Sequence, residues 1–175
     1  MFKALRTTAA AVTLVGLSVS AAVAGEAYTA ANGFAVSGYD VVAYFDLEQA
    51  PVGTAQPGAV PGKSSITAEY DGATYAFATE ANRDRFLANP ASYAPQYDGH
   101  CAYGVAQGGK VPGNPNLWRI LDGKLYLNIT PTVVGFWEED IPGNLTSSEA
   151  NWPGIEGDPA STRAIPQYEP SAPVN

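Results

Sequence analysis

One histidine and one cysteine stand side by side, His100-Cys101, within Tyr97-Asp98-Gly99-His100-Cys101-Ala102-Tyr103-Gly104. An imidazole beside a thiol suits three uses. The pair offers soft donors to a transition metal, and nitrogen with thiolate suits Cu(I), which accepts low coordination numbers. A thiolate generated by a nearby base is a nucleophile. A buried thiol is simply a small apolar filler. Adjacency works against the first two uses, because neighbouring side chains point to opposite faces of a strand and about 100° apart on a helix. Both reach one ion only in an irregular turn led by Gly99, or in a site shared between chains. A thiol enzyme would also need a group to orient the imidazole, for which Asp98 and Asp40 are candidates, and no second cysteine exists to resolve a disulfide.

Three readings therefore stand open. In the first, His100 and Cys101 are metal ligands, with copper the first ion to test. In the second, the protein is an interaction or small-molecule-binding module in which Cys101 is structural. In the third it is a thiol-dependent redox enzyme. A binding protein is expected rather than an enzyme. Haem attachment through C-x-x-C-H is excluded by the cysteine count. No P-loop, dinucleotide-binding glycine fingerprint, G-x-S-x-G or H-E-x-x-H occurs in the chain. Asp40 would either cap a helix or ligate a metal, with capping the simpler use. Tyr39, Tyr44, Tyr97 and Tyr103 would either line an aromatic pocket or pack in the core. Glu138-Glu139-Asp140 reads as a solvated acidic run.

The segments on either side must hold this stretch in place. Ser65 to Tyr70 and Thr74 to Phe77 alternate about Asp71-Gly72, a type I′ turn pair, which predicts a β-hairpin. Thr79 is the expected N-cap of a helix running to about Ala88, where Asn89-Pro90 stops it. A short buried helix is expected over Ala102 to Ala106. A second hairpin follows, Leu117 to Leu121 and Leu125 to Ile129, around Asp122-Gly123-Lys124. Thr130-Pro131 opens a further helix that Ile141-Pro142-Gly143-Asn144 would close, and Ser147 to Trp152 reads as one more. Val41 to Phe45 is apolar throughout and belongs to the core. The expected fold class is α+β, a small antiparallel sheet built from two β-hairpins with short packed helices.

Composition narrows the setting. Lys3 and Arg6, the apolar run Ala9 to Val19 and the A-x-A site Ala22-Val23-Ala24 read as a cleavable export signal over residues 1–24. The run is too short to span a membrane, which takes about 20 apolar residues. The expectation is a periplasmic protein that is not an integral membrane protein after cleavage. Without residues 1–24, seven basic side chains face seventeen acidic ones, a net charge of −10. That balance disfavours nucleic acid and anionic lipid. A metal ion or a small molecule is the expected partner, and the sequence does not set the oligomeric state. With one cysteine the fold must rest on a core, here rich in aromatics: ten Tyr, six Phe and three Trp. Residues 25–153 are expected to form one domain, and 154–175, rich in proline, a disordered tail.

Tyr70-Asp71-Gly72-x-x-Tyr75-x-Phe77, followed by Phe86 and Asn89-Pro90-x-x-Tyr93, resembles the signature of the YHS domain. Gly38-Tyr39-Asp40-Val41-Val42-Ala43-Tyr44-Phe45, Gly99-x-Cys101-Ala102 and Asp122-Gly123-Lys124-Leu125-Tyr126-Leu127, with Trp137 and Trp152, extend the resemblance to exported bacterial YHS domain-containing proteins. The resemblance implies a hairpin-plus-helix module. Metal-binding members carry cysteines just after the second hairpin strand and at the start of the following helix. Ala78 and Asn82 stand at those positions here, so the usual ligands are missing, and Cys101 lies outside the short module.

Overall fold

A computed structural model of the chain describes residues 25–168 and 172–175. The expected signal segment lies outside the described residues. The architecture is α+β, with two antiparallel two-stranded sheets and short helices. Among the described residues the two hairpins do not pair with each other, so they form two sheets where a single one was expected.

The first sheet joins β1 (Lys63–Tyr70) to β2 (Ala73–Phe77), and the second joins β3 (Asn114–Leu121) to β4 (Lys124–Asn128). Both turn on an Asp-Gly pair with positive φ at each residue: 50° and 74° at Asp71-Gly72, 48° and 72° at Asp122-Gly123. This is the type I′ geometry whose twist matches that of the strands it joins. Each hairpin carries a register shift near its open end, between Lys63 and Thr67 and between Asn114 and Trp118.

Helix α1 (Glu80–Ala88) is capped by Thr79, whose Oγ1 accepts from the Asn82 N–H at 3.1 Å. Helix α2 (Ala102–Ala106) follows directly on Cys101. Helix α3 (Pro131–Glu139) begins at Thr130, whose Oγ1 accepts from the Val133 N–H at 3.3 Å. Helix α4 (Ile141–Ile155) is longer than the expected Ser147 to Trp152. Pro142 and Gly143 open this helix instead of closing the one before it, because Asp140 accepts from the Gly143 N–H at 3.0 Å and acts as its N-cap. A proline in the first turn lacks only an N–H that has no helical partner there. Asp140 thus has a structural task, contrary to its expected place in a solvated run.

Helix α4 holds α2 through side chains. Ser148 Oγ donates to the Ala102 carbonyl at 3.0 Å, and Asn151 Nδ2 donates to those of Val105 and Ala106 at 3.1 and 3.0 Å. The last carbonyls of a short helix have no internal partner, and Asn151 supplies one. The main core gathers Val41, Val42, Tyr44, Phe77, Phe86, Trp118, Leu125 and Leu127, and a second cluster gathers Ala102, Tyr126 and Trp137. Two of the buried aromatics find the polar partners their rings require: Tyr44 donates to the Pro115 carbonyl at 2.8 Å, and the Trp118 indole to that of Pro57 at 2.9 Å.

The proline-rich end is not free of the domain, contrary to the disorder its composition suggests. Val174 N donates to the Gly62 carbonyl at 2.6 Å, Asn32 Nδ2 donates to the Ala172 carbonyl at 2.8 Å, and Ile165 and Ala172 are buried. Proline removes donors and fixes φ, but an extended strap needs few donors to lie on a surface.

Candidate functional site

The stretch that carries the histidine and cysteine is held in an unusual backbone. Tyr97 and Asp98 take φ of 56° and 53°, and Gly99 takes 78°, three left-handed residues in succession. The reversal sends His100 and Cys101, both fully buried, toward different neighbours. His100 lies between the rings of Tyr28 and Trp152. Its Nδ1 sits 2.9 Å from the Tyr97 carbonyl, which can only accept, so Nδ1 carries the proton. Its Nε2 then accepts from the Ser161 N–H at 3.2 Å. Burial lowers the His100 pKa to about 4, so the ring is neutral.

Cys101 faces the other way. Its Sγ accepts from the Gly104 N–H at 3.4 Å, the N-cap bond of α2, and lies 3.4 Å from Asn128 Oδ1, to which the thiol donates. Burial raises the thiol pKa, against the pull of nearby backbone N–H groups. The thiol therefore stays protonated, the opposite of what nucleophilic or redox chemistry requires.

These two residues do not fit a copper ion as they stand. The one lone pair on the imidazole is taken by Ser161, the sulfur is a protonated cap, and the two side chains do not converge. Among the described residues, no group of three or more His, Cys, Asp or Glu side chains gathers as a metal cage.

Ala78 and Asn82 are tied into a carboxylate network. Asp40 is fully buried. Its Oδ1 accepts from the N–H groups of Val42 at 2.9 Å and Ala43 at 3.2 Å. Its Oδ2 accepts from the Ala78 N–H at 2.8 Å and from Asn82 Nδ2 at 2.7 Å. The capping role expected of Asp40 is thus joined by a tie to Ala78 and Asn82.

A cavity of about 280 Å³ opens between β3, α3 and the loop at residues 53–56. Leu117, Trp118, Val134 and Trp137 form much of its wall. Arg119 and Glu138 form a buried ion pair beside them, with side chains 4% and 7% exposed. Glu138 Oε2 also accepts from the Gly53 N–H at 2.7 Å, and Arg119 donates to the Ala50 carbonyl at 3.1 Å. The pair fastens the loop to the helix, and Glu138 is no part of a solvated acidic run. Asn128, which holds Cys101, also lines the cavity. None of Tyr39, Tyr44, Tyr97 and Tyr103 does. Those rings pack instead, Tyr44 against Trp118, Tyr97 against Tyr126 and Trp152, and Tyr103 against Phe136.

A family model of the YHS domain matches residues 56–97. The chain contains a YHS domain. No curated protein and no solved structure matches the chain. The YHS domain comprises β1, β2, α1 and the approach to the left-handed turn, and it stops three residues short of His100. Asp40 precedes it, so the network that ties Ala78 and Asn82 reaches in from outside. Of the cavity wall, only Gln56 falls within the YHS domain; β3 and α3 supply most of the rest.

The cavity was not among the sequence expectations. One signal for it was present: Arg119 is a lone charge in the apolar strand Leu117-Trp118-Arg119-Ile120-Leu121, and a buried guanidinium demands a carboxylate.

Proposed function

We propose that this is an exported, periplasmic binding module that takes a small, uncharged, largely apolar molecule into the cavity between β3, α3 and the 53–56 loop. His100 and Cys101 serve the fold. The observation that carries this reading is the cavity's lining: aromatic and aliphatic walls around an ion pair whose charges are already matched. At about 280 Å³ it lies near the lower end of ligand-site volumes.

The wall also selects for acceptors on the ligand. Asn116 Oδ1 already accepts from the Ala59 N–H, and Asn128 Oδ1 from Cys101 and the Tyr103 N–H. The Trp137 indole N–H is buried with no hydrogen-bond partner among the described residues. The unused capacity is therefore donor capacity, which suits a carbonyl-type oxygen. Copper at Cys101 and His100 would have to displace the Ser161 N–H from Nε2 and remove the thiol proton that Asn128 accepts, so we assign binding to the cavity.

Gly135 provides the test, since it lines the cavity and a Cβ there meets nothing within 4 Å. Neutral carbonyl-bearing fragments should bind the wild type in ligand-observed NMR and change its tryptophan fluorescence. Gly135→Leu should fold and lose that binding. Equal binding by the variant would overturn the assignment, as would a stoichiometric Cu(I) complex that is lost in both His100→Ala and Cys101→Ala.

A further inference from the structure

We propose that processing adds an ion pair to this fold: cleavage between Ala24 and Gly25 frees the α-amine of Gly25, and the resulting ammonium docks on the carboxylate of Asp98. The proposal uses the export reading and is independent of the cavity.

Gly25 is buried, and it is fitted to its place as glycine. A Cβ at this position would lie inside contact distance of Asp98 Oδ2 and 2.5 Å from the Glu156 carbonyl oxygen. The Gly25 nitrogen, two bonds from that position, is therefore within about 5 Å of the carboxylate. The two segments are already joined by backbone, because Tyr28 N donates to the Asp98 carbonyl at 2.8 Å. Rotation of a freed terminus covers the remaining distance.

The carboxylate lacks the partner that the amine would supply. Asp98 Oδ2 is buried and accepts no hydrogen bond among the described residues. Buried carboxylate oxygens are ordinarily satisfied, and an unmet one is costly. The charged groups facing it are Lys110, Asp71 and Glu156. Lys110 spends its ammonium on the carbonyls of Glu156 and Asp158, at 2.9 and 2.8 Å. Asp71 and Glu156 add negative potential. Burial, the largest influence, and these two carboxylates hold the Asp98 pKa above its ordinary value, with Lys110 opposing.

The chemistry balances simply. A signal peptidase adds water across the Ala24–Gly25 peptide bond, Ala24 keeps the carboxylate, and the Gly25 nitrogen becomes an amine that is mostly protonated at neutral pH. An amide N–H becomes a cation beside a buried carboxylate oxygen that accepts no hydrogen bond among the described residues. Asp98 sits in the middle of the three left-handed residues that lead to His100, and such backbone persists only when its surroundings hold it. The ammonium is one of those supports, and a chain that keeps residues 1–24 lacks it.

The test uses protein exported and processed by a host cell. N-terminal sequencing should begin at Gly25. With Gly25 isotopically labelled, NMR titration should give an α-amine pKa at least one unit above the ordinary range of about 7.7–8.0. An amine-reactive ester at neutral pH should then label the terminus about tenfold more slowly than a free α-amine, the rate equivalent of that one unit. Asp98→Asn should restore both values. A terminus at any other residue, or a Gly25 amine that titrates and reacts as a free one in the wild type, overturns the proposal. The wild-type titration decides the matter even if Asp98→Asn does not fold.

Discussion

Nε2 of His100 accepts a hydrogen bond from the backbone N–H of Ser161, 61 positions further along the chain. The contact joins the turn at residues 97–99 to the C-terminal strap through the unprotonated imidazole. Adding a proton at Nε2 turns the acceptor into a donor and sets it against another donor.

Stability should therefore fall on acidification. The His100 pKa is lowered in the folded state to about 4 from an ordinary 6.5. Between those values the unfolded chain binds more protons than the folded one, so the contribution is fully present above the unfolded value and is lost as pH falls toward the folded one. The difference corresponds to about 3 kcal/mol. Urea unfolding of wild type and His100→Gln at pH 7.5 and 4.5 isolates it, and equal pH dependence in the two proteins would refute the assignment.

Cys101 should behave as a protected cap. In the native protein at pH 8 its thiol should react with an aromatic disulfide at least 100-fold more slowly than in urea, since burial raises its pKa and removes access. Cys101→Ala should cost roughly 1–2 kcal/mol through loss of the α2 cap. Cys101→Ser keeps an acceptor for the Gly104 N–H and should cost less.

Removing the strap should destabilise the domain. Deletion of residues 158–175 takes away the Ser161, Ala172 and Val174 contacts and uncovers Gly38, whose would-be Cβ lies 2.6 Å from Pro173. The melting temperature should drop by about 5 °C or more. An unchanged value would return the segment to the disordered tail its composition suggests.

Gly135→Ala should stabilise the protein by about 1 kcal/mol, because the residue is inside α3 and alanine loses less backbone entropy there. A Cβ at this position has open space around it. Chemical denaturation should show a higher midpoint with an unchanged slope.

Local signals made much of the fold legible. Two Asp-Gly pairs located both hairpins, and Thr79 and Thr130 located two helix starts, because those features depend on a few adjacent residues. The junction at residues 138–144 was misread because Asp140 works as a cap only once the chain turns there, which adjacent acidic residues conceal. The opposed directions of His100 and Cys101 follow from left-handed Tyr97 and Asp98; tyrosine is not a residue that signals positive φ, and aspartate does so only weakly. The Arg119–Glu138 pair spans 19 positions and the Arg119 contact to Ala50 spans 69, so neither could be read from neighbours.

The Asp40 network bears on how this domain can be moved. Two of the four hydrogen bonds to its carboxylate come from Ala78 and Asn82, inside the matched segment 56–97, while the carboxylate itself lies outside. A metal-bound hairpin and helix would carry their own clasp within a few dozen residues. Here the clasp belongs to the preceding segment, so residues 56–97 are not a transplantable cassette. Grafted into another protein without Val36 to Asp46, they would expose the seam between β2 and α1. The unit that evolution or an engineer can exchange intact is correspondingly larger than the stretch that the YHS model matches.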